Sequence, residues 1–250
     1  MKVVATVAAL LLAAPAAAGA GTDPLGKRIV TLGHSVRGRP IVAVEIGDFD
    51  SPLRALVVGC IHGTERAGIA VARRLAAGAP STEVDLWVIP VLNPDGVAAK
   101  TRQNADGVDL NRNFPWGWRP LTGVYDSGPH ALSEPESRIA YRLIRRIEPH
   151  VSIWFHQHLD VVDESGGNVA IERSFARLTG MRLERLRREP GSVVGWTNHV
   201  DPKGTAFVVE LPAGSLRAAE VTRFARAVLA VARQPDGRRR VDAGRRQAAR

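Results

Sequence analysis

Apolar and polar positions along this chain predict most of its elements. The stretch KRIVTLGHSVRGRPIVAVEIGD contains two β-type runs joined by a Gly/Arg turn, the spacing of a hairpin. SPLRALVVGC (51–60) is a continuous apolar run with the length of a buried strand, and ERAGIAVARRLAAG (65–78) repeats its apolar residues at helical spacing. VDLWVIPVL (84–92) predicts another buried strand, closed by the turn NPDG (93–96). From there to about Leu132 the chain is rich in Asn, Gly, Pro and Trp without periodicity, and a loop of that length inside a domain is usually functional. SEPESRIAYRLIRRIE (133–148) opens with Ser133 three residues before Glu136, a capping box, and continues as an amphipathic helix. VSIWFHQH (151–158) predicts a strand, ERSFARLTG (172–180) a short helix ended by Gly180, and TAFVVELP (205–212) the last strand. SLRAAEVTRFARAVLAVARQ (215–234) predicts a long closing helix capped by Ser215. Strands alternating with helices indicate an α/β sheet between helix layers. No repeat and no linker divides it.

The two ends depart from this pattern. Lys2, the apolar VVATVAALLLAA and the small-x-small Ala18-Gly19-Ala20 have the form of a signal peptide over residues 1–20. The apolar run is shorter than the roughly 20 residues a membrane-spanning helix needs. The expectation is a secreted or periplasmic protein without a transmembrane span, its domain covering 21–233. Gly21 stands where a lipoprotein would need cysteine. The tail QPDGRRRVDAGRRQAAR (234–250) is basic, lacks apolar periodicity and reads as disordered. It contributes to an excess of 34 Lys and Arg over 25 Asp and Glu, a charge that could attract anionic partners. For an exported chain nucleic acid is not expected; an anionic cell-wall polymer or lipid head group is the candidate partner of the tail, beside the simpler reading of a solvated segment. Cys60 is the only cysteine, so no internal disulfide can form, and its apolar flanks mark it as a buried small hydrophobe.

Candidate chemistry gathers where strands end. His62 and Glu65 follow one strand, Asn93 and Asp95 another, His156 a third, and Glu210 closes the fourth. Open α/β sheets build sites at the carboxyl ends of their strands, so these groups can converge. Two histidines and a glutamate are the donor set of a catalytic zinc that keeps an open position. His-x-x-Glu alone is equally a hydrogen-bonded turn. Glu210 after an apolar strand is costly unless it has a task or a partner. His156 and His158 would face the same side of a strand, so alternation does not choose between them. His34, His130, His150 and His199 have no motif around them and read as surface residues.

Several blocks in order narrow these alternatives: HGTE (62–65), NPDG (93–96), TRQN (101–104), VDLNRNFP (108–115), FHQ (155–157) and FVVELP (207–212). Together they resemble the zinc carboxypeptidases of the carboxypeptidase A type, in wording closest to the bacterial branch that includes murein peptide amidases. The resemblance spans nearly all of the chain between leader and tail. It implies a zinc-carboxypeptidase-like fold, a mixed and mostly parallel sheet between helix layers. It implies one Zn2+ held by His62, Glu65 and His156, which selects His156 over His158. It further implies Glu210 as general base, Arg102 as the arginine that polarises the scissile carbonyl, and Asn111 with Arg112 as the pair that holds a terminal carboxylate. Asp109 matches the aspartate that orients a zinc-ligating histidine. A planar guanidinium meets a carboxylate bidentately, so Arg112 suits an end-recognising site better than lysine would.

The chain also departs from the digestive enzymes, which carry a substrate-contacting tyrosine some twenty residues before the general base. Between Arg182 and Val209 there is no tyrosine. PGSVVGW (190–196) resembles the segment that shapes their specificity pocket, with Val193 and Val194 as wall residues. The expected activity is hydrolysis of a C-terminal amide bond in a peptide with a free terminal carboxylate, with cell-wall peptides as the candidate substrate. Two other readings are an aspartoacylase-like zinc deacylase, which shares His-Gly-x-Glu and Asp-Leu-Asn-Arg, and a wall-binding module with a dead site. NPDG, the Glu-Leu-Pro end and the leader favour the peptidase over the first. Intact ligands and base argue against the second.

Overall fold

The long apolar runs become the middle of the molecule. A computed structural model describes residues 25–234, and within them lies one eight-stranded sheet in the order β1-β2-β4-β3-β5-β8-β6-β7. Strands β1 (Leu25–His34) and β2 (Pro40–Asp48) form the expected antiparallel hairpin at one edge. The four predicted apolar runs are β3 (Arg54–Val58), β4 (Asp85–Ile89), β5 (Val151–Gln157) and β8 (Thr205–Leu211). They lie parallel to one another at the centre, so their carboxyl ends share one edge of the sheet. The short strands β6 (Val161–Asp163) and β7 (Arg182–Glu184) complete the other side. With three residues each they carry too little alternation to be read from sequence.

Helices cover both faces, as the alternation of apolar and polar residues requires. On one face α1 (Ala67–Ala76), α4 (Val169–Thr179) and α6 (Ala218–Ala232) pack with Val57, Ile153, Phe155, Phe207 and Val209. On the other, α3 (Pro135–Ile147) and α5 (Val193–Val200) pack with Leu56, Val58, Trp154 and Val208. Successive side chains of a strand point to opposite faces. His156 therefore follows Trp154, and Glu210 follows Val208, onto the face of α3 and α5. Helix α1 lies directly on the sheet because Gly68 lets it. A Cβ there would stand 2.3 Å from the Gly59 carbonyl oxygen and 2.4 Å from the Phe155 Cβ.

Several local expectations are corrected. NPDG is the start of a short helix, α2 (Pro94–Ala99), which Asn93 caps by accepting from the Gly96 N–H at 2.8 Å. The Ser133–Glu136 capping box does not form. Glu136 is fully buried and instead accepts from Asn104 Nδ2 at 3.1 Å and from the Val36 N–H at 3.2 Å, which ties the long loop and the hairpin to α3. Helix α6 is capped at Arg217, not Ser215, because the Glu220 carboxylate reaches back to the Arg217 N–H at 2.8 Å. His150 is fully buried rather than on the surface, its ring nitrogens facing the carbonyls of Arg54 and Ala232. Cys60 is fully buried as expected, and burial pushes its thiol up to about 12. The leader 1–20 and tail residues 235–250 lie outside the described residues. Among the described residues no helix is long and apolar enough to cross a membrane.

One buried carboxylate makes stability depend on pH. Glu172 in α4 is fully buried, accepts from the Ser165 N–H at 3.1 Å, and is pushed up to about 7 by burial, with Asp163 and Glu164 adding to the effect. Its folded pKa exceeds the ordinary 4.5, so the native state binds more protons between these values and stability falls as pH rises through that window. The loss is at most about 3 kcal/mol at one pKa unit per 1.36 kcal/mol. Glu172→Gln keeps the acceptor and cannot ionise. Thermal melting at pH 5 and pH 8 should show a smaller difference in the variant than in wild type, with the gain at pH 8.

Candidate active site

The strand ends place the candidate groups together. His62 and Glu65 occupy the turn after β3, while His156 and Glu210 are the penultimate residues of β5 and β8 and lie opposite each other in the β5–β8 register. Glu65 Oε2 stands 2.8 Å from His156 Nδ1 and 3.0 Å from His62 Nδ1, and the two ring nitrogens are 3.1 Å apart. Among the described residues these three are the one His/Cys/Asp/Glu group that could hold a metal ion. Tetrahedral zinc with bonds of about 2.0–2.2 Å sets its ligand atoms about 3.3 Å apart. The set fits such an ion with a few tenths of an ångström of opening. Two imidazole nitrogens turned toward each other and toward one carboxylate oxygen satisfy a cation better than they satisfy one another.

Asp109 organises the ring on the other side. It is fully buried, and its Oδ1 lies 2.9 Å from His62 Nε2. A carboxylate there takes the Nε2–H and leaves the Nδ1 lone pair facing the centre. Burial works against a charged His62, yet Asp109 and Glu65 beside it outweigh that and raise its pKa. Asp109 Oδ2 accepts from Arg102 Nε at 2.9 Å, and Arg102 Nη1 reaches Glu65 Oε1 at 2.6 Å. Burial alone would raise both carboxyls. The histidines around Glu65, and His62 with Arg102 beside Asp109, instead hold both far below the usual carboxylate range.

Asp109 also starts the 3-10 turn Leu110–Arg112 by accepting from the Asn111 N–H at 2.9 Å. Asn111 is fixed in turn by the Val193 N–H, which donates to its Oδ1 at 3.0 Å. Arg112 is only 6% exposed; its Nη1 donates to the Asn111 carbonyl at 2.9 Å, while its Nε finds no partner among the described residues. Its Nη2 is 3.5 Å from Glu189 Oε2, too far for a hydrogen bond. The segment carrying Glu189 is pressed onto Arg112 at Gly191, where φ is +66° and a Cβ would stand 2.1 Å from the Arg112 carbonyl oxygen. Only glycine serves there.

One cleft collects most of the expected residues: Glu65, Arg102, Asn111, Arg112, His156, Val194 and Glu210 all border it. Val193 does not form its wall. It is fully buried in the core beneath, and it meets the site through the backbone N–H on Asn111. His158 borders the cleft but lies past the end of β5, exposed, so it is not the second in-facing residue of that strand. Asn93 and Asp95 are structural: Asn93 Nδ2 donates to the Ile61 carbonyl at 3.1 Å, and Asp95 Oδ2 accepts from the Arg37 N–H at 2.9 Å. Burial raises the Glu210 carboxyl above its ordinary value, opposed by His156, and Glu210 Oε2 has no partner among the described residues. A half-buried carboxylate with one buried, uncommitted oxygen in reach of a metal centre can accept a proton. Sequence reasoning missed Glu189, which borders the cleft, and Tyr125, whose ring lies beside both arginines. Neither has a motif or periodicity to mark it.

Three substitutions test this geometry through metal content. His156→Ala should lose zinc on dialysis while His158→Ala retains it, and the reverse would exchange the two histidines. Asp109→Asn cannot hold the His62 N–H as a carboxylate does, and should weaken zinc retention by roughly 10–100-fold in a chelator competition.

Comparison with known proteins supplies the family. The zinc carboxypeptidase family model matches residues 20–163. Murein peptide amidase A of Vibrio campbellii is 32% identical over 195 residues, covering 72% of this chain and 77% of the relative. Carboxypeptidase SOL1 of Arabidopsis thaliana is 31% identical over 145 residues, covering 52% of this chain; the chain spans only 28% of that relative's own length. In structure, the murein-tripeptide amidase MpaA from Escherichia coli O157 superposes with a TM-score of 0.66 at 23% identity, covering 86% of this chain and 94% of the other. At that identity the likeness shows the shared fold. The matched model reaches from the first strand through the metal-site turn and the arginine loop to β5 and β6, and the chain belongs to the zinc carboxypeptidase family.

Proposed function

We propose that this chain is an exported zinc-dependent metallopeptidase that hydrolyses the C-terminal amide bond of a peptide with a free carboxylate, acting on cell-wall peptides. The observation that carries the reading is the position of Arg112. It is a buried guanidinium whose Nε has no partner among the described residues, on the same cleft as His156 and Glu210. A terminal carboxylate bound there brings the last peptide bond to the residues that can cut it.

His62, Glu65 and His156 would hold the metal. Zinc bound there supplies a Lewis acid that polarises a carbonyl and lowers the pKa of water. Glu210 accepts the proton of the attacking water and returns it to the departing nitrogen. Arg102 offers a fixed positive charge to the developing oxyanion, held in place by Asp109 and Glu65. Asn111 and Arg112 hold the terminal carboxylate, and the apolar Val194 lies against the side chain that precedes it. Export is supported by the pattern of residues 1–20, the wall substrate by export and by the relatives named as murein peptide amidases. The basic tail is suited to an anionic wall polymer.

Glu210→Gln should keep zinc and lose turnover by about 10²–10⁴-fold, and near-normal turnover with metal bound would exclude it as the base. The clamp is tested with one ordinary peptide and one wall tripeptide, each as free acid and as amide. An amide leaves the guanidinium without its partner, a loss of about 3 kcal/mol, or on the order of 10²-fold in kcat/KM. Arg112→Ala should abolish the preference. Equal cleavage of acid and amide by wild type removes the clamp; faster cleavage of the ordinary peptide removes the wall substrate.

A further inference from the structure

The two arginines of the cleft share a neighbour that no motif marks. Tyr125, one of two tyrosines in the chain, ends the 3-10 turn Gly123–Tyr125 within the long loop. The centre of its ring lies 5.4 Å from the guanidinium carbon of Arg102 and 5.3 Å from that of Arg112. Both distances are within the range of about 6 Å in which a cation is attracted to an aromatic face. Core packing does not account for the ring, which is 49% exposed. The turn beneath it is nonetheless fastened on both sides. Gln103 Nε2 donates to the Gly123 carbonyl at 2.8 Å, and the Asp109 N–H donates to the Asp126 carbonyl at 2.7 Å. The neighbours of Arg102 and Arg112 in sequence thus hold the ring against their own guanidinium groups.

The two guanidinium groups do not depend on it equally. Arg102 is anchored by Asp109 and Glu65 at hydrogen-bond distance. Among the described residues Arg112 has one hydrogen bond, to the carbonyl of Asn111, and its nearest carboxylate is 3.5 Å away. Although buried, a guanidinium held by one hydrogen bond keeps some orientational freedom at its end, which a ligand must then freeze. An aromatic face beside it restricts that freedom without using any of the N–H groups that a carboxylate needs.

We propose that Tyr125 is a positioning residue, whose ring face orients the Arg112 guanidinium to receive the terminal carboxylate of the substrate. The proposal rests on the reading of Arg112 as the carboxylate clamp. Removing the ring therefore weakens binding of a free acid and leaves bond cleavage, which uses Arg102 and Glu210, nearly unchanged.

The test is the steady-state kinetics of the full-length, zinc-loaded protein on one N-blocked dipeptide, supplied as free acid and as amide. Tyr125→Leu keeps an apolar side chain and loses the face; Tyr125→Met is a second ring-free variant, and Tyr125→Phe keeps the face. Both ring-free variants should raise KM for the acid roughly 3- to 10-fold, with kcat within about 2-fold and the acid-over-amide preference reduced by the same factor. The phenylalanine variant should stay close to wild type. The proposal is overturned if the ring-free variants keep the wild-type KM and preference. A loss of kcat at unchanged KM, or equal impairment of Phe and Leu, overturns it too. Equal cleavage of acid and amide by wild type overturns the clamp itself and this proposal with it, whereas a wild-type preference that survives in Leu and Met overturns the role of the tyrosine alone.

Discussion

The site depends on one buried carboxylate. Asp109 is fully buried, and a charge so placed costs several kcal/mol unless its oxygens are occupied. They are occupied by three donors from three places in the chain. His62 comes from the turn after β3, Arg102 from the start of the long loop, and the Asn111 N–H from the turn that Asp109 itself begins. Loss of Arg102 would empty Oδ2, and loss of either His62 or the turn would leave Oδ1 with one donor, so the buried charge favours the three segments folding together. The consequence is chemical. The same contacts fix which His62 nitrogen faces the metal centre, aim Arg102 across the cleft, and set the turn that presents Asn111 and Arg112.

A second constraint lies in the backbone of the sheet. His156 and Glu210 are paired residue for residue in neighbouring parallel strands, with Trp154 and Val208 behind them on the same face. A slip of one residue in either strand would turn its polar group to the opposite side, among Phe155, Phe207 and Val209. The separation between the metal side and the proton acceptor is therefore set by hydrogen-bond register rather than by loop conformation. Loops contribute what register cannot, the arginines and the asparagine.

That division explains which parts are legible in the sequence. Strands buried on both faces are continuous apolar runs, and β3, β4, β5 and β8 are visible for that reason. The polar residue that ends such a run stands out against it, which is how Glu210 and the pair His156 and His158 declare themselves from hydropathy; only the resemblance chooses His156 of the two. Arg102, Asp109, Asn111 and Arg112 lie in a loop without periodicity, and only the resemblance of their motifs marks them. Helix starts escape a local pattern where a different partner takes the capping group: Glu136 is drawn to Asn104 and the hairpin, and Glu220 caps Arg217 without any help from Ser215. His150 looks like a surface residue in sequence because its partners are carbonyls of the distant Arg54 and Ala232. Val193 and Val194 are adjacent and chemically identical, and only the direction of α5 decides that the second faces the cleft.

The missing tyrosine between Arg182 and Val209 takes on a different meaning beside this geometry. Tyr125 is not its replacement. Its ring contacts the guanidinium carbons of Arg102 and Arg112, while the side chains that border the cleft are those of the arginines themselves. On the opposite flank, where the segment 186–192 closes the cleft, the contributing groups are Leu186, Arg187, Arg188, Glu189 and Ser192. Arg187 and Arg188 are exposed; Arg188 is tied to Asp163 at 3.1 Å and to the Glu164 carbonyl, whereas Glu189 is loosely paired, 3.8 Å from the exposed Arg187 and 3.5 Å from the buried Arg112. An exposed pair such as Glu189 with Arg187 contributes little to stability and can be exchanged for contacts with a ligand at small cost. The metal-site groups are therefore placed by strand register and a buried ion network, while this flank of the cleft is charged and, at Glu189, loosely paired. Substrate preference in such a cleft can change with residues 186–189 while His62, Glu65, His156, Asp109 and Glu210 stay where the fold puts them.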